Sequence, residues 1–151
     1  MVKEFEFFLI SQKGLLFRDN KCLIVKMNTE KDEDVKDNIW DFPGGRIDKD
    51  EDYNLAFQRE IKEEMGINNF EVISIVDCRF WKYRDGSKSV GGVIYLIENN
   101  NDEIVLSSEH TDMQWIAEDE TDNYSFVWPH MGEVIKKGFK LYNQLKNSEN
   151  K

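Results

Sequence analysis

The chain has 151 residues, 40% hydrophobic and 13% aromatic, and its 20 Lys+Arg against 30 Asp+Glu give a formal net charge of −10. That is enough apolar material for one packed core, so a single domain over residues 1–151 is expected and a wholly disordered chain is excluded. The acidic balance argues against a nucleic acid polymer as partner, since gripping many phosphates needs a basic face, but a small anion can still bind locally.

No stretch approaches the ~20 apolar residues of a spanning helix, and Met1–Phe8 lacks the layout of a secretion signal. The expectation is a cytoplasmic chain with no membrane partner, a monomer or homodimer. Cys22 and Cys78 lie far apart with only two histidines in the sequence, so neither a zinc site nor a disulfide is indicated and both are expected as buried thiols.

From Phe5 to Met27, short apolar runs alternate with turn residues, and Arg18-Asp19-Asn20-Lys21 reads as the turn of a hairpin. Thr29–Asn38 holds five acidic residues, two lysines and one valine, a composition that cannot pack; an exposed loop is expected, placed to act as a lid. Trp40-Asp41-Phe42-Pro43-Gly44-Gly45 then restores order, its paired glycines allowing close backbone approaches. Tyr53, Phe57, Ile61 and Met65 repeat every four residues and predict a helix stopped by Gly66. Phe70–Tyr83, Val90–Glu98 and Glu103–Leu106 read as strands. A last helix is expected from about Pro129 to Asn147, followed by a frayed polar tail.

On the first helix, Glu60, Glu63 and Glu64 stand at i, i+3 and i+4, so like charges crowd one side. Taken alone, three acids also suit a solvated helix face. A divalent cation would relieve the repulsion, and the oxygen-only donor set favours Mg²⁺ or Mn²⁺ over zinc. Asp48-Lys49-Asp50-Glu51-Asp52 imitates the opening of an EF-hand loop, but Tyr53 stands where glycine is required and Arg59 where the bidentate carboxylate is required. Arg59 is placed to pair with Glu51 across the loop–helix junction, and Ile61 and Ile67 to anchor the helix in the core.

The wider spacing is Gly45, five residues, Glu51, seven residues, Arg59-Glu60-Ile61, one residue, Glu63-Glu64, one residue, Gly66-Ile67. It resembles the Nudix box without a gap or substitution. At about one in ten per fixed position, seven identities coincide by chance in about one window in 10⁷.

The residues support an α+β domain, and the resemblance implies an α/β/α sandwich, a mixed β-sheet flanked by helices. It implies metal-dependent hydrolysis of a phosphoanhydride in a nucleoside diphosphate linked to another group, nucleoside triphosphates and dinucleoside polyphosphates included. The metal would be held by the Gly44 carbonyl, Glu60, Glu63, Glu64 and an acid from the loop before a Trp-containing strand, Glu109, with Asp112 in reserve. On this resemblance Glu60, Glu63 and Glu109 would be the catalytic carboxylates, with Glu60 ahead of Glu109 as general base, while Gly45, Glu51, Arg59 and Gly66 would shape the box. Lys26 and Arg46 are placed to neutralise substrate phosphates. Among Trp40, Phe80, Trp81, Tyr83, Phe126 and Trp128, the expected substrate contacts are Trp40 and Tyr83. Tyr83 stands where some branches carry specificity residues and is loosely similar to the diadenosine-polyphosphate hydrolases. A Nudix-fold binding module without hydrolysis is the alternative, and a degenerate box would be its mark.

Overall fold

The computed structural model describes residues 8–30, 37–82, 86–99 and 102–150. In chain order they form β1 (Phe8–Arg18), β2 (Lys21–Met27), β3 (Ile39–Asp41), β4 (Gly44–Arg46), α1 (Tyr53–Met65), β5 (Glu71–Lys82), β6 (Ser89–Glu98), β7 (His110–Ile116), a short 3₁₀ helix Glu118–Asn123, β8 (Ser125–Phe126) and α2 (Met131–Glu149). Most of the acidic Thr29–Asn38 segment, together with Tyr83, lies outside the described residues.

The expected hairpin is present: Asp19 and Asn20 both take positive φ, 50° and 59°, the left-handed pair that a two-residue turn between twisted strands requires and that these short polar side chains tolerate. β1 is central, pairing in parallel with β6 and antiparallel with β2 and β4. β5 extends the sheet beyond β6, β7 and β3 pair with β2, and β8 runs parallel to β3. The sheet is thus mixed, with strand order β5-β6-β1-β2-β3-β8.

Strand alternation assigns the two faces. Leu15, Phe17, Cys22 and Ile24 pack with Val134, Ile135, Phe139 and Tyr142 of α2. Leu16 and Leu23, one residue out of phase, pack with Phe57, Ile61 and Met65 of α1. A mixed sheet between two helices follows, as the resemblance implied.

The predicted helix spans the same residues as α1. Its N-cap Asp52 accepts hydrogen bonds from the Asn54 and Leu55 N–H groups, and Gly66, at φ 69°, closes it by donating to the Lys62 carbonyl. Tyr53, expected on the buried stripe, is exposed, and Ala56 and Glu64 are buried instead.

Three other expectations need correction. Glu103–Leu106 is not a strand: Val105 N–H donates to the Met65 carbonyl and Ser107 N–H to the Glu64 carbonyl, both at 3.0 Å. The segment satisfies the open end of α1 rather than a sheet neighbour. Cys78 is exposed while Cys22 is buried, because β5 turns one row of its side chains away from α2. The last helix begins two residues after Pro129 and runs to Glu149, past the expected end.

Candidate functional site

Gly44 has φ 125°, and a Cβ there would run into the Gln12 carbonyl and come within 2.9 Å of the Lys13 Cα. Only glycine permits β4 to lie this close against β1. A Cβ at Gly45 would overlap the Glu60 carboxylate, so the second glycine leaves room for an acid of α1. The pair therefore sets β4 beside the acidic face of α1.

Glu64 is buried, and its carboxylate accepts a 2.8 Å hydrogen bond from the Gly44 N–H. Burial pushes its pKa up to about 8, against the opposing pull of Lys13 and of that N–H. Lys13 reaches into the same region from β1, donating to Asp41 at 2.8 Å and to the carbonyls of Phe42 and Gly44 at 3.2 and 3.1 Å. Burial alone would lower the Lys13 pKa, but Asp41, Glu64 and Glu60 outweigh it and hold it above the ordinary lysine range.

Arg59 organises the outer side. Its guanidinium donates to both carboxylate oxygens of Glu51, at 2.8 and 2.9 Å, and to Glu60 at 2.7 Å, with a longer contact to Glu63 at 3.3 Å. Arg59 holds the Glu51 carboxyl down to about 2. The expected loop–helix pair is present in its bidentate form.

These elements enclose a cavity of about 330 Å³. Glu60 and Glu64 of α1, Glu109 from the turn before β7, Gly44, Gly45 and Arg46 all line it. Glu63 does not: its side chain is 60% exposed and leans on Arg59. Lys26 and Asp112, opposite each other on β2 and β7, are not among the lining residues either. Trp40 is 4% exposed, edge-to-face with Tyr124 in the core on the α2 side. Its ring has no free face for a substrate, which corrects the expectation placed on it. Phe80 lies on the opposite side of β5, against Phe8.

The sequence reading overlooked Lys13, Asp41 and His110, all of which line the cavity. Lys13 shares its strand face with Ser11, Leu15 and Phe17, and a lysine in that row needs a buried acid; Asp41 is that acid. His110 is 8% exposed, its Nδ1 has no partner in the structure, and burial lowers its pKa. Among the described residues no three acidic, histidine or cysteine side chains form a ready-made metal cage. With Arg59 in contact with Glu60 and Glu63, and Glu64 turned to the Gly44 N–H, the acids are held apart.

The NUDIX domain family model matches residues 11–138. A nucleoside triphosphatase, NudI of Escherichia fergusonii, is 30% identical over 119 residues, covering 73% of this chain and 82% of the relative. An RNA pyrophosphohydrolase of Pelagibacter ubique is 40% identical over 63 residues, 42% of this chain, which spans only 37% of that relative's length. Among solved structures, a C. elegans Ap4A hydrolase matches with TM-score 0.73 at 21% identity, covering 90% of this chain and 98% of the other. The intact box, the sandwich that presents its acids and a family match over most of the length agree: the chain belongs to the Nudix family of hydrolases.

Proposed function

We propose that the chain hydrolyses a phosphoanhydride bond of a nucleoside diphosphate linked to another group, a nucleoside triphosphate or dinucleoside polyphosphate, with Mg²⁺ or Mn²⁺ as cofactor. The observation that carries this reading is the convergence of Glu60, Glu64 and Glu109, from two separate elements, on one cavity beside Gly44 and Arg46. The donor set fits a hard divalent cation: it is all oxygen, and burial raises the Glu64 pKa to about 8, a shift that a bound cation would oppose. Gly44, Glu60, Glu64 and Glu109 would hold the ion, and Glu63 would join them only by leaving Arg59. Bound there, it supplies charge neutralisation on the phosphates and Lewis acidity towards the attacking water.

The chain's own residues supply the remainder. Glu60, held by Arg59 at 2.7 Å, takes the proton of the water as general base, with Glu109 the second choice. Arg46, at the rim, offsets phosphate charge. Lys13 and Asp41 neutralise each other in the cavity wall, and Lys13 fixes the turn at Gly44 through the Phe42 and Gly44 carbonyls. The chain's net charge of −10 favours a small nucleotide over a polymer, so an RNA 5′-triphosphate is the less favoured substrate.

The test is phosphate or pyrophosphate release from ATP, dGTP, a diadenosine polyphosphate and a 5′-triphosphorylated RNA, with Mg²⁺ and with EDTA. Mg²⁺-dependent release that falls at least a hundredfold in Glu60→Gln supports the reading. Folded protein that binds nucleotide but releases nothing would make it a binding module.

A further inference from the structure

We propose that Trp81 and Trp128 form the surface on which the planar heterocycle of the substrate stacks, beside the carboxylates that act on its phosphates. This rests on the hydrolase reading above. Trp81 comes from the end of β5 and Trp128 from the segment before α2; both are half-buried, their ring centroids are 5.7 Å apart and their planes meet at 48°. Both line the cavity that holds Glu60, Glu64 and Glu109, and among the described residues they are its only aromatic rings apart from His110. The cavity therefore combines carboxylates with two large aromatic rings in one lining, the combination expected for a ligand with a charged chain and a π-system.

The sequence makes a seat for this surface. Successive strand residues face opposite sides of a sheet, and β6 carries the pair Gly91-Gly92. A Cβ at Gly91 would press on Phe80 at 2.9 Å on one side, and a Cβ at Gly92 would overlap the Trp81 indole on the other. The six-membered ring of the indole sits over Gly92 because that residue has no side chain, which fixes the ring before any ligand arrives. His130 stands 5.7 Å from the same indole but does not line this cavity. The other tryptophan-sized candidates are spent elsewhere: Trp40 is in the core, and Trp115 has the Arg18 guanidinium over its ring at 5.1 Å. Stacking tolerates any base but scales with ring area, so purine nucleotides are the class favoured.

The test compares wild type with Trp81→Leu, Trp128→Leu, Trp81→Phe and Gly92→Ala, each checked for fold by circular dichroism. The substrates are ATP, dGTP and diadenosine tetraphosphate, with inorganic tripolyphosphate as an inhibitor that has no base. Each leucine variant is expected to raise KM for the nucleotides about tenfold, with kcat within threefold and the tripolyphosphate inhibition constant unchanged. Phe at 81 should restore most of the affinity. Gly92→Ala, which keeps the indole but displaces it, should behave like Trp81→Leu. Nucleotide KM values within twofold of wild type in both leucine variants overturn the stacking surface alone. A wild type that neither binds nor turns over any of the three nucleotides overturns the hydrolase reading as well.

Discussion

Glu64 gives the sharpest prediction about the metal-free chain. Its carboxyl is 6% exposed, and burial raises its pKa from 4.5 to about 8. A carboxyl raised in the folded state binds more protons there than in the unfolded chain between those two values, so its linkage makes stability fall as pH rises through that window. From pH 5 to pH 8.5 the loss attributable to this group is on the order of 4 kcal/mol, taking about 1.4 kcal/mol per pH interval over which only the unfolded form is ionised. For a domain of this length that corresponds to a fall of roughly 10 °C in Tm. Glu64→Gln removes the titration while keeping an oxygen for the Gly44 N–H. Thermal melts of both proteins in EDTA across this pH range are the assay, read as the difference between the curves, which cancels the other titrating groups. Wild type should drop below the variant progressively with pH, and Mg²⁺ should restore wild type but not the variant. Parallel curves from pH 5 to 8.5 would refute the burial argument.

Further outcomes follow from the same geometry. Glu60→Gln should lower kcat by two orders of magnitude or more with Tm within a few degrees of wild type, measured by phosphate release and calorimetry. Gly45→Ala, whose methyl would overlap the Glu60 carboxylate, should lower kcat at least tenfold while the circular dichroism spectrum is retained. Ile61→Ala, at a fully buried position between α1 and the sheet, should destabilise by about 3 kcal/mol in urea unfolding. Titration with a thiol reagent should modify Cys78 rapidly in the native protein and Cys22 only after unfolding, since Cys22 is buried and its thiol pKa pushed far up.

Much of this architecture was legible because local pattern and tertiary context agreed. The stripe of α1 and its Gly66 stop depend on residues within the helix or one turn of its end, and the box spacing carried the acids with it. The short strands β3, β4 and β8 were not legible: two or three residues have no period, and they are strands only because β1, β2 and β3 lie beside them. Glu103–Leu106 has strand-like composition, yet its backbone donors go to the end of α1, a competition that sequence alone does not reveal. In the site, Glu60, Glu64, Glu109 and Arg46, named from the box and its flanks, line one cavity. Trp40 does not, and an aromatic next to a glycine turn reads the same in sequence whether it faces core or ligand. Lys13 and Asp41, 28 positions apart, could be matched only once the β1–β4 and β2–β3 pairings brought them together.

The central claim, that this acid cluster hydrolyses a nucleotide phosphoanhydride with a divalent cation, is tested most directly by phosphorus-31 NMR of a nucleotide panel. ATP, dGTP, its 8-oxo form, ADP-ribose, a diadenosine polyphosphate and a nucleotide sugar would each be incubated with the protein and Mg²⁺, beside Glu64→Gln and an EDTA control. The account predicts loss of the anhydride resonances for at least one class, with new monophosphate, phosphate or pyrophosphate signals that are absent from both controls. Unchanged spectra across the panel, from folded protein that binds Mg²⁺, would contradict it.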